Sequence, residues 1–556
     1  PEDLADLIPA PYGHLEHGLA SPVINPVRLM MLSQERYLLF EQLKMAIADT
    51  SSDKTKTAWF FETTEQGSFV CYKHSRFLLG AGSEAKVYLG GFLEGLHGSD
   101  ERDVIRQHFS LYARPVAIKQ FHTKDSQLES STVRVLPRGV DGILTYLANF
   151  EAHDDLYTVQ ELGLVSLSDR IISEATFEER LTMIRGACLA IRELHRRSGG
   201  AIVHRDIRMG NFMLTDNGRI KTCDFGISRV LPDAKKTVLA FGNALSPLTC
   251  QPYEVQVAMT QLINQREQAA KTQSFSNMGF LSEDQDYLPV STSADIFMLG
   301  LVLYKLATKV DALSHSDILQ KKIADFTLVT KLFSGGHLLA HLLSCMLSHE
   351  ANKRPSIDQV LEHPFFRSWQ ENETVVQTLY RELHDSEGHG QGVRYTESFR
   401  ILESVLQPFE QHVSWPTCLQ SLPPHVRSQM NGNQTVPVVL LPDGLGSKPH
   451  PLPNIHQAVC WLRYFYAHFR DPKALSWIWM DLRSGVREKE SLGEFIHAHP
   501  AVSWILPKLW ETKVHFLQQI QVERDTWEKD WEAMQRKNEE MHNRFRTHER
   551  KVKALI

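Results

Sequence analysis

Several residue patterns are missing from this sequence of 556 residues, and each absence excludes a class of protein. No apolar run approaches the roughly 18 residues that are needed to span a bilayer. With 31 glycines and 25 prolines, the chain is neither collagen-like nor of low complexity. The net charge of −6 gives no general attraction to nucleic acid or to an anionic membrane. Any nucleic-acid chemistry must therefore come from a local site, and nothing predicts a DNA partner.

Cysteine is scarce and scattered. Seven cysteines occur, at positions 71, 188, 223, 250, 345, 418 and 460, and they include no CxxC pair. This pattern disfavours a disulfide framework or a zinc module and favours a reducing compartment, so we expect a cytoplasmic location. The chain begins at Pro1 rather than Met, and we expect a fragment or a processed form. A membrane is then expected only through a segment outside this chain.

The length suggests two to four domains, and the patterning predicts four regions. Residues 1–70 are predicted to form an N-terminal extension with one amphipathic helix from Met30 to Ile47. Short apolar strands follow from Phe77, and helical periodicity begins near Phe177. The first folded domain is predicted at 71–366, a second, all-helical one at 367–515, and a solvated helical tail at 516–556. The polar stretch from Val255 to Asp286 is predicted to be an inserted loop.

A glycine-rich segment and a lysine suggest a site that handles phosphate. Gly80 and Gly82 lie in LLGAGSEAKVYLG, where backbone amides can approach phosphate oxygens without an intervening Cβ. Ala85 replaces the third glycine of the usual GxGxxG pattern. Lys119 follows in the alternating strand VAIKQF. Taken alone, such a loop is a common turn and such a lysine is commonly a solvated edge residue.

The stretch IVHRDIRMGNFMLTDNGRIKTCDFG, from Ile202 to Gly226, decides between these interpretations. It carries His204-Arg205-Asp206, Asn211 and Asp224-Phe225-Gly226 at the spacing of a protein kinase catalytic core, which it closely resembles. The resemblance implies that Asp206 accepts the proton of the attacking hydroxyl and that Lys119 contacts the α/β-phosphates of ATP or ADP. It implies that Asn211 and Asp224 hold Mg²⁺. The further nucleotide-binding positions that it implies are Gly80, Gly82, Val87, Ala117, Glu161 and Glu129, the last as the helix partner of Lys119.

Downstream residues extend the resemblance. Asp295 matches the helical aspartate that braces the catalytic loop of kinases, and Glu254, in the degenerate motif Gln-Pro-Tyr-Glu, is expected to pair with Arg354. Arg208 stands where many kinases have lysine, which keeps the charge but changes the geometry. The candidate phosphate acceptors are Ser228, Thr237, Ser246 and Thr249, and the alternative is that these are only solvated hydroxyls. The alternative is a pseudokinase that binds nucleotide without turnover.

Beyond the kinase core the chain continues as HPFFRSWQENETVVQTLYREL without a linker. This continuation resembles the family that joins a kinase to a kinase-extension nuclease, represented by the inositol-requiring unfolded-protein-response sensor and RNase L. Arg463 and His468 sit five residues apart, as the family's arginine and catalytic histidine do. Tyr464 replaces the family's asparagine, and His450 lies nearest the position of its catalytic tyrosine. Metal-independent RNA cleavage needs an acid, a base and a cation, and these residues offer all three.

The sequence therefore predicts an α+β protein: a bilobal protein kinase fold followed by an all-α kinase-extension nuclease domain. The expected function is a nucleotide-regulated serine/threonine kinase fused to an endoribonuclease whose activity requires a homodimer or a higher oligomer. The expected setting is the cytoplasm or the cytosolic part of an ER-membrane protein. The alternative is a kinase or pseudokinase whose extension is a catalytically dead module for dimerisation or partner binding. RNA cleavage distinguishes the two.

Overall fold

The computed structural model describes residues 24–48, 59–64, 67–82, 85–94, 108–121, 141–152, 155–168, 174–197, 200–231, 238–241, 250–272, 287–332 and 336–367, together with single positions within 371–377 and 507–541. The chain divides into two compact units, Pro1–Ser368 and Trp369–Ile556. Within the described residues, no helix is both long and apolar enough to cross a membrane.

Within the described residues, the first helix of this unit is α1, Pro26–Ala48, as the apolar periodicity predicts. Its inner face buries Leu32, Phe40, Leu43 and Ile47. The opposite face also carries apolar side chains, since Met30, Tyr37 and Met45 are each about 60 % exposed. The helix is therefore apolar on two faces, whereas the sequence predicts a simple amphipathic helix.

A seven-stranded antiparallel sheet follows, in the order β1-β2-β4-β5-β7-β6 with β3 added on β4. Its strands are β1 Trp59–Thr64, β2 Gly67–Tyr72, β3 Leu78–Ala81, β4 Ala85–Leu93, β5 Arg114–Phe121, β6 Tyr146–Ala152 and β7 Asp155–Glu161. The predicted domain boundary at residue 71 falls inside β2, and β1 lies entirely before it. Both strands belong to the sheet, because β1 pairs with β2 and β2 pairs with β4. The sheet thus begins well before the region in which the sequence predicts strands. The sequence does not predict β1, because its aromatic and threonine residues show no clear alternation of apolar and polar side chains.

The helical part of this unit is built around two helices, α2 Phe177–His195 and α4 Thr292–Thr308. A capping box starts α2: the Thr176 hydroxyl accepts from the backbone N–H of Glu179, and the Glu179 carboxylate accepts from the backbone N–H of Thr176. The predicted apolar stripe of α2 is buried, comprising Leu181, Ile184, Cys188, Ile191 and Leu194. The remaining helices are α3 Tyr253–Thr272, α5 His315–Leu319, α6 Thr327–Leu332, α7 Gly336–Met346 and α8 Ile357–Leu361.

Short strands form antiparallel pairs in the segments outside these helices. They are β8 Val165–Ser166, β9 Ile202–Val203, β10 Phe212–Leu214, β11 Ile220–Thr222, β12 Arg229–Val230, β13 Val238–Phe241 and β14 Tyr287–Val290. The antiparallel pairs are β8 with β10, β10 with β11, β9 with β12 and β13 with β14. Single 3₁₀ turns occur at Ser75–Phe77, Met209–Asn211, Ala351–Lys353 and Pro364–Phe366.

The prediction of an inserted loop from Val255 to Asp286 is wrong in its first part, because α3 occupies Tyr253–Thr272. The segment is predicted to be a loop because it is rich in glutamine, serine and asparagine, but glutamine has good helix propensity. The apolar stripe that packs the helix against α4 is short: Val255 and Met259 are buried against Ala294. Such a stripe is too short to dominate the composition of the segment.

In the second unit, the described positions between 507 and 541 are helical. Trp510 and Val514 are buried, whereas Trp531, Met534 and Met541 are exposed. This agrees with a terminal helix that has apolar anchors near its start. Of the predicted nuclease domain, the structure describes only residue 367, single helical positions within 371–377, and positions 507, 510 and 514.

Candidate active site

Strand register places three of the predicted nucleotide-binding residues on one face of the sheet. Val87 of β4 lies directly opposite Lys119 of β5, and Ala117 shares the face of Lys119 because side chains alternate along a strand. Gly80 lies in β3, where it pairs with Val87, and Gly82 lies between β3 and β4. A Cβ built on Gly80 would meet nothing within 4 Å, and one on Gly82 would meet only the Ala85 carbonyl oxygen, at 3.9 Å. The space over these glycines is therefore open to a ligand.

Lys119 and Asp224 meet across the site. Lys119 Nζ donates to Asp224 Oδ1 at 2.7 Å, although the residues are 105 positions apart. Burial opposes ionisation of Asp224, but the charge and the hydrogen bond of Lys119 outweigh it and hold the pKa of this carboxyl below its usual value. Asp224 adopts a positive φ of 67°, and the next residue, Phe225, is fully buried. The backbone thus turns the carboxylate toward the lysine while anchoring the phenyl ring in the core.

The proposed catalytic base is fixed within its own loop. Asp206 Oδ2 accepts from Asn211 Nδ2 at 2.8 Å and from Arg208 Nε at 3.1 Å. The same Asn211 nitrogen also donates to the Asp206 carbonyl oxygen at 2.8 Å. Both Asp206 and Asn211 are buried. Arg208, the departure from the usual lysine, therefore forms an ion pair with the base itself.

A buried carboxylate braces this loop, as the sequence predicts for Asp295. Asp295 Oδ2 accepts from the backbone N–H of His204 at 2.8 Å, and Oδ1 accepts from the backbone N–H of Arg205 at 2.9 Å. His195 Nε2 lies 2.9 Å from the same carboxylate. Arg205 has a positive φ of 69°, which is costly for a residue with a side chain. The Asp295 bonds hold that conformation.

The predicted pair of Glu254 and Arg354 is also confirmed. The two carboxylate oxygens of Glu254 accept from Arg354 Nη1 and Nη2 at 2.6 and 2.9 Å. Arg354 further donates to the carbonyl oxygens of Ser348 and Ser293, which fixes the start of α3 to the end of the helical part. Gln251 Nε2 donates to the Arg205 carbonyl oxygen at 2.8 Å and so connects this segment to the catalytic loop.

Two predicted residues have other roles in the structure. The Glu161 carboxylate accepts from Lys221 Nζ at 2.8 and 2.9 Å and from the backbone N–H of Thr145 at 3.1 Å. Its side chain is thus bound within the protein, and the predicted contact with nucleotide would have to come from its backbone. The prediction of Ser228 as a phosphate acceptor is wrong, because Ser228 is fully buried and its hydroxyl donates to the His204 carbonyl oxygen at 3.1 Å.

Other predicted site residues lie outside the described residues. They are Glu129, Thr237, Ser246 and Thr249 of the kinase core, and His450, Arg463, Tyr464 and His468 of the extension. Their roles stay predictions.

The sequence reasoning did not single out three polar residues near the site: His195, Lys221 and Arg229. His195 ends the buried stripe of α2, and a histidine there gives no signal of a contact with Asp295. Burial, and next the charge of Arg229, lowers the pKa of the Arg205 guanidinium to about 10. Arg229 Nη1 donates to the Ser228 carbonyl oxygen. The antiparallel pairing of β9 with β12 places Arg229 opposite Val203, two residues before Arg205, and no motif predicts this pairing.

The residues present fit a magnesium nucleotide. Because the Asn211 amide nitrogen is bound to Asp206, the atom that this amide presents to a cation is its oxygen. Asp224 adds an ionised carboxylate, and oxygen ligands of this kind suit Mg²⁺. Lys119 supplies a point charge for phosphate next to them.

The fold and the site together define a protein kinase catalytic core: an antiparallel sheet that carries a lysine, joined to a helical part that carries the base and the metal-binding residues. The family model described as protein kinase domain matches residues 78–366, just over half of the chain. The chain therefore belongs to the protein kinase family.

The curated relatives agree. Over 238 residues the chain is 25 % identical to the probable serine/threonine-protein kinase CCRP1 of Zea mays, covering 39 % of this chain and 30 % of that protein. It is 27 % identical over 270 residues to the serine/threonine-protein kinase Nek1 of Mus musculus, covering 45 % of this chain and 19 % of that one. It is also 27 % identical over 233 residues to mouse Nek4, covering 41 % and 24 %. The matches thus span less than a third of the length of these relatives.

Proposed function

We propose that this chain is a serine/threonine protein kinase that transfers the γ-phosphoryl group of ATP to a hydroxyl. The observation that carries the proposal is the placement of Asp206, whose carboxylate is buried and oriented by Asn211 in a loop that Asp295 braces. A carboxylate held in this way accepts the proton of the attacking hydroxyl. The names of the relatives, which are serine/threonine kinases, support the choice of acceptor.

The other residues of the site have matching roles. Asn211 and Asp224 would hold Mg²⁺, which neutralises phosphate charge when bound. Lys119 orients the α/β-phosphates and keeps Asp224 ionised, while the open space over Gly80 and Gly82 admits the phosphates. Arg208 shares Oδ2 of Asp206 with Asn211, so it helps to fix the direction of the base. Positioning and electrostatics account for most of the catalysis in such a reaction.

The test compares wild type with Asp206→Asn and Asp224→Asn in the whole chain. Wild type should incorporate labelled phosphate into serine or threonine of itself or of a mixed peptide substrate. Asp206→Asn should lose this transfer and still bind ATP and Mg²⁺. Asp224→Asn should lose most of the stabilisation by ATP and Mg²⁺, which amounts to about 2.7 kcal/mol at a ligand concentration of 100 times Kd.

Two results would decide against catalysis. Nucleotide binding by wild type without phosphate on any serine or threonine would indicate the pseudokinase alternative. An unchanged thermal shift in Asp224→Asn would refute the metal assignment. Autophosphorylation is expected at Thr237, Ser246 or Thr249 and not at Ser228, which is buried.

We further propose, from the sequence resemblance, that the second unit is a metal-independent endoribonuclease that acts in a homodimer. His468 and His450 would serve as acid and base, with Arg463 on the scissile phosphate and Tyr464 stacked on a base. The kinase family match ends at residue 366, so this proposal depends on the sequence pattern of the extension.

A stem-loop RNA, incubated with the whole chain and EDTA over a range of protein concentrations, tests the nuclease. Wild type should cut the RNA more efficiently as dimers form, and His468→Ala should abolish cleavage. If wild type cuts nothing at the highest concentration with nucleotide present, the extension is instead a module for dimerisation or partner binding.

A further inference from the structure

Helix α1 lies before the residues that match the kinase family, yet it is integrated into the kinase fold. On its inner face Phe40, Leu43 and Ile47 are buried in one apolar cluster with Leu89 of β4 and Phe109. Because each of these side chains is at most 2 % exposed, the C-terminal half of α1 is part of the core of the sheet. This half therefore moves with the strands that carry Val87 and Lys119.

The N-terminal end of α1 is bound to the helical part instead. The backbone N–H of Asn25 donates to Glu179 Oε1 at 2.9 Å, and Arg28 Nη1 donates to Glu179 Oε2 at 3.3 Å. Glu179 belongs to the first turn of α2 and also caps that helix through the backbone N–H of Thr176. Burial opposes ionisation of Glu179, but hydrogen bonds from Asn25 and Thr176 and the charge of Arg28 keep its pKa below the usual value.

The middle of α1 reaches the connection between the two parts. Arg36 Nε donates to the Leu164 carbonyl oxygen at 2.8 Å. Leu164 follows β7, at the point where the chain passes from the sheet to the helical part, and its N–H donates to the Leu214 carbonyl oxygen at 2.8 Å. Leu162 packs against the apolar cluster that contains Phe40. The connection is thus held by α1 on one side and by β10 on the other.

We propose that α1 is a strap across the two parts of the kinase core and that Arg36 is a positioning residue for the nucleotide site. The inference rests on the proposed kinase function. Lys119 belongs to the sheet, whereas the catalytic base and the metal-binding residues belong to the helical part. The site is therefore complete only when the sheet and the helical part hold one particular relative position. Without the bond from Arg36, the sheet and the helical part can adopt further relative positions in which nucleotide does not bind. The apparent affinity for nucleotide falls in proportion to the fraction of molecules in the binding-competent position.

The experiment measures nucleotide binding and kinetics of the whole chain with Arg36→Ala. The affinity for ATP and Mg²⁺, by titration calorimetry, should fall by about 3- to 10-fold, and KM for ATP should rise by a similar factor. The value of kcat at saturating ATP should change less, because bound nucleotide selects the competent position. Arg36→Lys should recover part of the affinity, since its ammonium can donate to the same carbonyl oxygen. Lys44→Ala is the matched control, because Lys44 lies on the same helix and pairs with Glu41 of α1.

The possible failures are distinguishable. If wild type binds no nucleotide, the proposed function fails before the strap is tested. If wild type binds nucleotide and Arg36→Ala binds it equally well, the inference is overturned, even if the variant unfolds at a lower temperature. A loss of affinity of the same size in Lys44→Ala would also overturn it, because the effect would then belong to helix stability in general.

Discussion

Two acidic residues anchor the segments around the site, the buried Asp295 and the partly exposed Glu254, and they work differently. Asp295 accepts from two backbone N–H groups of the catalytic loop, those of His204 and Arg205. Glu254 accepts from a single side chain, the guanidinium of Arg354, in a bidentate pair. The first anchor fixes the backbone of the catalytic loop itself, whereas the second fixes the start of α3 to the segment that precedes α8.

This difference decides what a substitution can replace. Substitutions other than proline keep the backbone N–H groups at His204 and Arg205, so loss of Asp295 leaves buried donors without an acceptor. An ion pair can be removed whole, because apolar residues of similar volume can take its place without an unpaired charge. We therefore expect the Asp295 anchor to be irreplaceable and the Glu254 anchor to be exchangeable.

The largest effect is expected for Asp295→Ala. The substitution leaves two backbone donors and His195 without their acceptor in a fully buried place, and it releases the strained φ of Arg205. The free energy of unfolding should fall by about 3–5 kcal/mol. Denaturant unfolding of the whole chain, followed by tryptophan fluorescence, measures the change, and phosphate transfer should be lost together with it.

Asp295→Asn provides the control of similar volume. Its single amide oxygen can accept from one of the two backbone donors, so the loss should be smaller than in Asp295→Ala. Equal stability of Asp295→Ala and wild type would contradict the account of the brace.

A smaller and repairable effect is expected for Arg354→Ala. It leaves Glu254 without its cation and removes donors from the carbonyl oxygens of Ser348 and Ser293, but Glu254 is about one third exposed and can be hydrated. The cost should be about 2 kcal/mol. The double variant Arg354→Met with Glu254→Leu should recover part of this stability, by the same unfolding measurement. A double variant less stable than Arg354→Ala would show that the pair is as irreplaceable as Asp295.

The same contrast explains how far the sequence could predict the structure. Asp206, Asn211, Asp224, Lys119 and Asp295 belong to motifs whose spacing is set by one shared chemistry. The structure shows contacts of Lys119 with Asp224, of Asn211 with Asp206 and of Asp295 with the catalytic loop, while the roles of these residues stay predictions. The helix α2 was predictable because its apolar stripe is long. In both the motifs and the stripe, the pattern lies within short stretches of sequence, and each residue of a stretch strengthens the prediction.

The parts that were predicted wrongly or missed depend on long-range contacts. The polar composition of α3 conceals a short buried stripe, Val255 and Met259, whose value depends on Ala294 far along the chain. The strands β1 and β2 join the sheet through pairing with β4. The burial of Ser228 follows from its hydrogen bond to the catalytic loop. None of these partners is visible within a window of sequence, and the same holds for the bond from Arg36 to Leu164.

The smallest effect is expected at Gln251, which connects the two anchored regions. Its Nε2 donates to the carbonyl oxygen of Arg205, the residue whose N–H Asp295 holds, and its own carbonyl oxygen accepts from Gln256 Nε2 at 2.6 Å in the first turns of α3. Gln251→Met keeps the length of the side chain and removes the donor, so it should cost about 1 kcal/mol. If this bond transmits the position of α3 to the catalytic loop, the costs of Gln251→Met and Arg354→Ala should not add, and a double-mutant cycle should show a coupling energy of at least about 0.5 kcal/mol. Strict additivity would mean that the two anchors act independently and that Glu254 contributes to stability without positioning the base.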